Sequence, residues 1–182
     1  IHWVTMFESI ELNSIAVGIG LIFSYPLFVL FIEFLRGNKP KTYQIGLILI
    51  GFFGLYNLLD VSNINSFEGV IYGLISAISL SLIITIGETY SSKLGGLKVA
   101  FSQLFVASIV LIKFTYDSKD WLFENIAVSL FLGIFLTGIG LTTYWYVVKI
   151  IKPIAVSTIS YLEPVTGVVL GAILLNEVLT LR

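Results

Sequence analysis

The sequence predicts an all-α fold, a polytopic transmembrane helix bundle, and three observations predict it. Of 182 residues, 57% are hydrophobic and only 12% charged, against about 25% charged in a typical soluble domain. The mean hydropathy is +1.01. The apolar residues fall in long blocks with the charges gathered between them. A soluble domain of this length would lack the polar residues to cover its surface. Ten Lys+Arg against eleven Asp+Glu leave a net charge of −1, which gives no basic field and no expected nucleic-acid partner. Without cysteine there is no disulfide, thiolate metal site or cysteine nucleophile. The chain starts at Ile1 with no signal-peptide pattern and stops at Arg182 directly after an apolar segment, so it is expected to be a piece of a longer protein.

A helix needs roughly 20 apolar residues to cross about 30 Å of hydrocarbon, and six segments qualify. Segment A covers residues 14–34 and B covers 43–59. C covers 69–87 and D covers 94–114. E covers 125–148 and F covers 154–175. D has an uncharged stretch only from Val99 to Ile112, so it spans if Lys98 and Lys113 extend their ammonium groups to the two surfaces. Short charged connections separate the segments, and residues 2–12 read as the end of a further helix plus a loop.

Six crossings place the loops alternately on two sides. The A–B, C–D and E–F loops carry Arg36, Lys39, Lys41, Lys93, Lys98, Lys149 and Lys152, seven in all. The other side has three, Lys113, Lys119 and Arg182. The positive-inside bias puts loops 35–42, 88–98 and 149–153 in the cytoplasm. A then runs inward and F outward.

Segments A and F are weakly self-similar at an offset of 138 residues, pairing Pro26 with Pro164, Asn38 with Asn176 and Thr42 with Thr180. With one residue of slack, Ile15-Ala16-Val17 matches Ile154-Ala155-Val156. An odd number of crossings separates the two, so the copies would be inverted. Inverted repeats with paired Pro/Gly interruptions mark the substrate site of many secondary transporters. Each proline would leave one backbone carbonyl without its helical donor near mid-membrane.

Tyr161-Leu-Glu163-Pro164-Val165, a small-residue apolar stretch and then Leu174-Leu-Asn176-Glu177-Val-Leu-Thr180 resemble the second-repeat signature of EamA-type carriers of the drug/metabolite transporter superfamily. Ser24-Tyr-Pro26 and the apolar run after it resemble the first-repeat counterpart. The resemblance implies ten helices in two inverted five-helix repeats, with both termini cytoplasmic. Residues 1–59 would be the end of the first repeat (the end of helix three, then four and five), and 60–182 most of the second (six to nine, the tenth missing). It implies the same cytoplasmic loops as the charge count. Two positions depart from the pattern: Asn176 stands where glycine is usual, and Lys39 where the first repeat often has Glu.

Glu163 is the sharpest functional candidate, because an ionised side chain inside a membrane helix costs at least ~2.5–3.5 kcal/mol and so faces a cavity or a partner. Gly167 and Gly171 follow it at i+4 and i+8, on one helix face where another backbone can approach. Two readings stand for it: a cavity carboxylate that binds a substrate amine or carries a proton, and a protonated structural link to a neighbouring backbone or hydroxyl group. Ser160 and Pro164 flank Glu163, and Ser24, Tyr25 and Pro26 are the counterparts in A. Segment C carries Gly69, Gly73, Ala77, Ser81 and Thr85 at intervals of four. That stripe reads first as a packing seam, with Ser76 and Ser79 beside it as candidates for a polar path. Gln103 in D completes the candidates, along with Thr142, Thr143, Tyr144 and Trp145 of E as further polar or amphipathic groups. Trp145 and Tyr146 read as interfacial anchors. Glu33 and Glu88 read as hydrated groups at helix ends.

No catalytic residue, metal site or cofactor is expected. His2 is the sole histidine, so HExxH and multi-His sites are excluded, and neither GxGxxG after a strand nor a P-loop occurs. The expected partners are the lipid bilayer and a small-molecule substrate, with assembly as a homodimer the arrangement considered. The expected place is the plasma (cell inner) membrane of a prokaryote. The function these features imply is secondary transport of a small organic metabolite by alternating access. An intramembrane lipid- or prenyl-modifying enzyme and a non-transporting scaffold are the alternatives, and metabolite flux in vesicles separates them.

Overall fold

A computed structural model describes residues 1–58, 64–166 and 169. Every regular element among them is a helix. In order these are α1 (His2–Leu12), α2 (Ile15–Ile22), α3 (Tyr25–Leu35), α4 (Thr42–Leu58), α5 (Phe67–Leu94) and α6 (Gly96–Val110). There follow α7 (Ile112–Asp117), α8 (Lys119–Glu124), α9 (Ile126–Phe131), a π-helical stretch at Leu132–Ile139, α10 (Gly140–Ile151) and α11 (Pro153–Ile159). Among the described residues, three stretches are long and apolar enough to cross a membrane: Ile15–Leu35, Phe67–Leu94 and Ile126–Ile151, with 21, 28 and 26 residues. They coincide with segments A, C and E. Segment D is the 15-residue apolar helix α6, which breaks at Leu111. The far half of segment F lies outside the described residues.

The helices form two compact units, residues 1–85 with 153–182 and residues 86–152. In the first unit α1 packs on α2, and α3, α4 and α11 pack on one another. Ser14 starts α2 by accepting a bond from the Val17 amide on its Oγ at 3.2 Å, which satisfies one of the orphan donors of the first turn. Asn13 joins the end of α1 to the start of α5. Its Oδ1 accepts from the Asn65 and Ser66 amides at 2.9 and 2.8 Å, and its Nδ2 donates to the Ser66 carbonyl. The small-residue stripe of α5 is a packing seam: Gly69 meets Leu12 and Asn13, Gly73 meets Leu21 and Ser9, and Ala77, Ser81 and Thr85 are buried. At the end of α3, Gly37 takes a positive φ of 83° and stops the helix.

Glu33 is not hydrated as its position suggested. It is 3% exposed, ion-paired with Arg36 and bonded by Asn38 Nδ2 at 2.7 Å. Arg36 also donates to the Thr85 carbonyl of α5 at 3.0 Å. The cause is local: the chain turns back at Gly37 and brings two donors onto the carboxylate that ends the helix.

In the second unit α6 packs on α10 around Trp145, which is 1% exposed. The Trp145 indole donates to Gln103 Oε1 at 3.1 Å, and its carbonyl accepts from Ser91 Oγ at 2.8 Å. A Cβ on Gly87 would overlap the indole ring, so only glycine lets the ring sit there. Trp145 is therefore a packing centre and not an interfacial anchor. Tyr146 is exposed, with the Lys149 ammonium 4.5 Å from its ring centroid, as an interfacial residue would be. Glu88 is likewise enclosed and ion-paired with Lys152 at 2.6 Å. Stacked exposed pairs, Phe101–Phe105 and Phe131–Phe135, give this unit an apolar exterior that suits lipid contact.

Two connections read as loops are largely helical. α5 continues through Glu88 to Leu94, leaving only Gly95 before α6, and α7 and α8 occupy most of 113–124. Falling hydropathy marks where a helix leaves hydrocarbon. It does not end the helix, since Glu, Ser and Lys all continue one at small cost.

Candidate functional site

Segments A and F each carry a proline, and in each the helix breaks just ahead of it. In A, Phe23 and Ser24 form a turn between α2 and α3, and the ladder tightens to i→i−3: the Ser24 amide donates to the Leu21 carbonyl at 3.1 Å and Leu27 to Ser24 at 3.0 Å. Pro26 stands in the first turn of α3, where its missing N–H costs nothing. Ser24 Oγ donates to the Leu21 carbonyl at 2.6 Å. In F, α11 ends at Ile159, Ser160 and Tyr161 form a turn, and the helix resumes over 162–166. There the Tyr161 amide donates to Thr158 at 3.4 Å and Glu163 to Ser160 at 3.0 Å, again i→i−3. Pro164 follows in the first turn after the break, as Pro26 does. The paired interruptions read from the sequence are thus paired helix breaks.

The two breaks lie together within the first unit, because α11 packs on α3. The Phe23 ring centroid is 6.1 Å from that of Tyr25 and 6.4 Å from that of Tyr161. Ser24, Tyr25, Pro26, Ser160 and Tyr161 are all buried there. Ser160 Oγ donates to the Val156 carbonyl at 3.2 Å and lies within reach of both the Tyr25 phenol and the Glu163 carboxyl. The Tyr161 ring rests on α4 at Gly51, where a Cβ would come 2.7 Å from Cγ. The Tyr161 hydroxyl is buried with no hydrogen-bond partner among the described residues.

Of the sequence candidates, the structure brings together Ser24, Tyr25, Pro26, Ser160, Glu163 and Pro164. Glu163 itself is exposed and Pro164 half-buried. Gly167 and Gly171, read as sharing the face of Glu163, and Asn176 and Thr180 of the repeat lie outside the described residues. Ser76 serves packing: its Oγ lies 2.8 Å from His2 Nδ1 and donates to the His2 carbonyl at 3.1 Å. Ser79 is half-buried on α5. Gln103 belongs to the second unit, on the Trp145 indole. Sequence reasoning missed Tyr161 and Phe23. Their signal was available, since both sit in the turn ahead of a proline, but an aromatic residue in an apolar segment carries no mark of function by itself.

Residues 67–182 match the family model described as the EamA-like transporter family. The chain is similar to an uncharacterized transporter of Archaeoglobus fulgidus, 30% identical over 162 residues, which are 86% of this chain and 58% of the relative. A second uncharacterized transporter of that organism is 22% identical over 176 residues, 95% of this chain and 63% of the relative. The uncharacterized transporter YoaV of Bacillus subtilis is 21% identical over 172 residues, 89% of this chain and 59% of the relative. The chain thus spans about three-fifths of the length of the curated relatives it matches. No solved structure matches significantly.

Proposed function

We propose a function from one premise: this chain belongs to the EamA-like transporter family. It is an integral membrane protein, and membrane transport is the general activity its family and relatives carry. The full-length protein is a secondary carrier that moves a small organic metabolite by alternating access. Residues 1–59 and 60–182 are parts of two inverted repeats. Loops 35–42, 88–98 and 149–153 are cytoplasmic, the membrane is the plasma membrane of a prokaryote, and a homodimer is the assembly proposed.

The observation that carries this reading is the meeting of two proline-associated helix breaks, one from each repeat, within one packed unit. Broken helices expose backbone polar groups at membrane depth, which is tolerated only where protein or a water-lined cavity covers them. They are also where inverted-repeat carriers hold substrate. Buried hydroxyls of Tyr25, Ser160 and Tyr161 supply uncharged hydrogen-bonding groups, and Glu163 supplies the charge that binds a substrate amine or carries the coupling proton. No metal or cofactor enters this scheme. The test is uptake of a labelled metabolite library into proteoliposomes holding the full-length protein. Flux that depends on Glu163, lost or stripped of its pH dependence in Glu163→Gln, is the expected result. A protein that moves nothing would be a scaffold, and a variant with unchanged flux and pH profile would remove Glu163 from the mechanism.

A further inference from the structure

Buried polar groups are almost always hydrogen-bonded, and an orphan costs its full desolvation. Two side-chain hydroxyls of the first unit are orphans among the described residues, those of Ser9 and Tyr161. Ser9 Oγ is pressed into the α5 seam, 2.8 Å from where a Cβ of Gly73 would stand, so packing fills its surroundings. Tyr161 differs. Its ring is fixed by Gly51 on α4 and by Phe23 on the opposite break, and its buried hydroxyl has a hydrogen bond still to give.

The charges narrow what can receive that bond. Residues 15–35, 42–58 and 153–166, which build the junction, contain no Lys, Arg or His. Their two acidic residues are Glu33, already paired with Arg36, and Glu163. An anionic substrate would be desolvated there without a counter-charge, whereas a protonated amine would meet the Glu163 carboxylate beside aromatic faces. We infer that Tyr161 is a specificity-determining contact of the transport site, and that the site takes a small amino alcohol. Glu163 holds the ammonium group and the Tyr161 hydroxyl bonds the substrate's uncharged hydroxyl. This rests on the carrier reading above and names its substrate class.

The experiment follows uptake of radiolabelled ethanolamine, ethylamine and glycolate into proteoliposomes of the full-length protein. Ethanolamine is expected to enter fastest and glycolate not at all. Tyr161→Phe lowers the ethanolamine-to-ethylamine uptake ratio about tenfold, equivalent to ~1.4 kcal/mol. Glu163→Gln abolishes uptake of both amines. The melting temperature of the substrate-free Tyr161→Phe variant stays level or rises, because the deleted hydroxyl had no partner. A fall in melting temperature, an unchanged uptake ratio, or glycolate uptake matching ethanolamine overturns the assignment. If none of the three probes moves, a metabolite extract read by mass spectrometry decides. Flux of other solutes overturns the amino-alcohol class and leaves the carrier standing, and no flux at all overturns both.

Discussion

The Tyr161 ring lies against the backbone of α4 at Gly51, so close that a Cβ there would overlap Cδ2 and stand 2.7 Å from Cγ. Three ring atoms fall within 3 Å of that position, so no small rotation of the phenol clears it. Gly51→Ala must therefore move Tyr161, α4 or both. Overpacking of this kind costs roughly 1–3 kcal/mol. The expected outcome is a lower melting temperature of the full-length protein and a loss of transport larger than the loss of stability, because the displaced ring belongs to the junction of the two breaks. Gly54→Ala is the control, since nothing lies within 4 Å of its Cβ position. Equal behaviour of the two variants would refute the seat.

Lys152 sits where two effects oppose. Its φ of 71° with ψ of 155° lies in a region almost reserved for glycine, at a cost of about 1–3 kcal/mol. Its ammonium pairs with the enclosed Glu88, but the lysine side chain is 65% exposed, so the attraction is screened and worth about 0–1 kcal/mol. Lys152→Gly loses the pair and relieves the backbone, whereas Lys152→Met loses the pair and keeps the strain. The glycine variant is expected to melt at or above the parent temperature and the methionine variant below it. The reverse order would show that the ion pair outweighs the backbone strain.

Glu33 and Arg36 should respond differently. Glu33 is 3% exposed, and its carboxylate is held by Arg36 and Asn38. Removing the cation leaves a buried charge short of its partner, which typically costs about 3–5 kcal/mol. Arg36→Met also gives up the bond to the Thr85 carbonyl. A strong loss of thermal stability is expected, with partial recovery in the double variant Arg36→Met/Glu33→Gln, where no charge remains. Absence of recovery would mean that the packing of the Arg36 stem, and not its charge, holds α3 to α5.

These pairs show what was legible in the sequence and what was not. Segments A, C and E could be read from hydropathy alone, because lipid selects long apolar helices. The pairing of Pro26 with Pro164 was readable as spacing, and the structure turns it into matched helix breaks. Burial of the acidic residues was not readable. Glu33 and Glu88 stand at helix ends, where hydration is the default, and only tertiary contacts with Arg36 and Lys152 enclose them. Glu163, the acidic group placed deepest inside an apolar segment by sequence, is exposed, whereas Glu33 and Glu88 are enclosed. Trp145 misled in the same way: a Trp near a helix end resembles an anchor until Gly87 and Gln103 are seen to form its pocket.

These 182 residues contain no cysteine, so single cysteines placed among them report orientation once any cysteine elsewhere in the full-length protein has been replaced. The proposed orientation, drawn from the seven-to-three bias of Lys and Arg, has the A–B, C–D and E–F connections on the cytoplasmic side. Within the first unit, Arg36 bonds the carbonyl of Thr85, so the A–B connection and the far part of α5 share an end. At the opposite end Asn13 holds Asn65 and Ser66, so the entries to A and C share the other. Single cysteines at Lys39 and Ser92 should then react with a membrane-impermeant maleimide only after the cells are opened. Cysteines at Asn65 and Ser118 should react in intact cells. Labelling of all four from one side would refute the six-crossing arrangement. A clean exchange of the two pairs would keep the helices and invert the protein, making the Lys and Arg bias an effect of the loops' local packing and not of insertion.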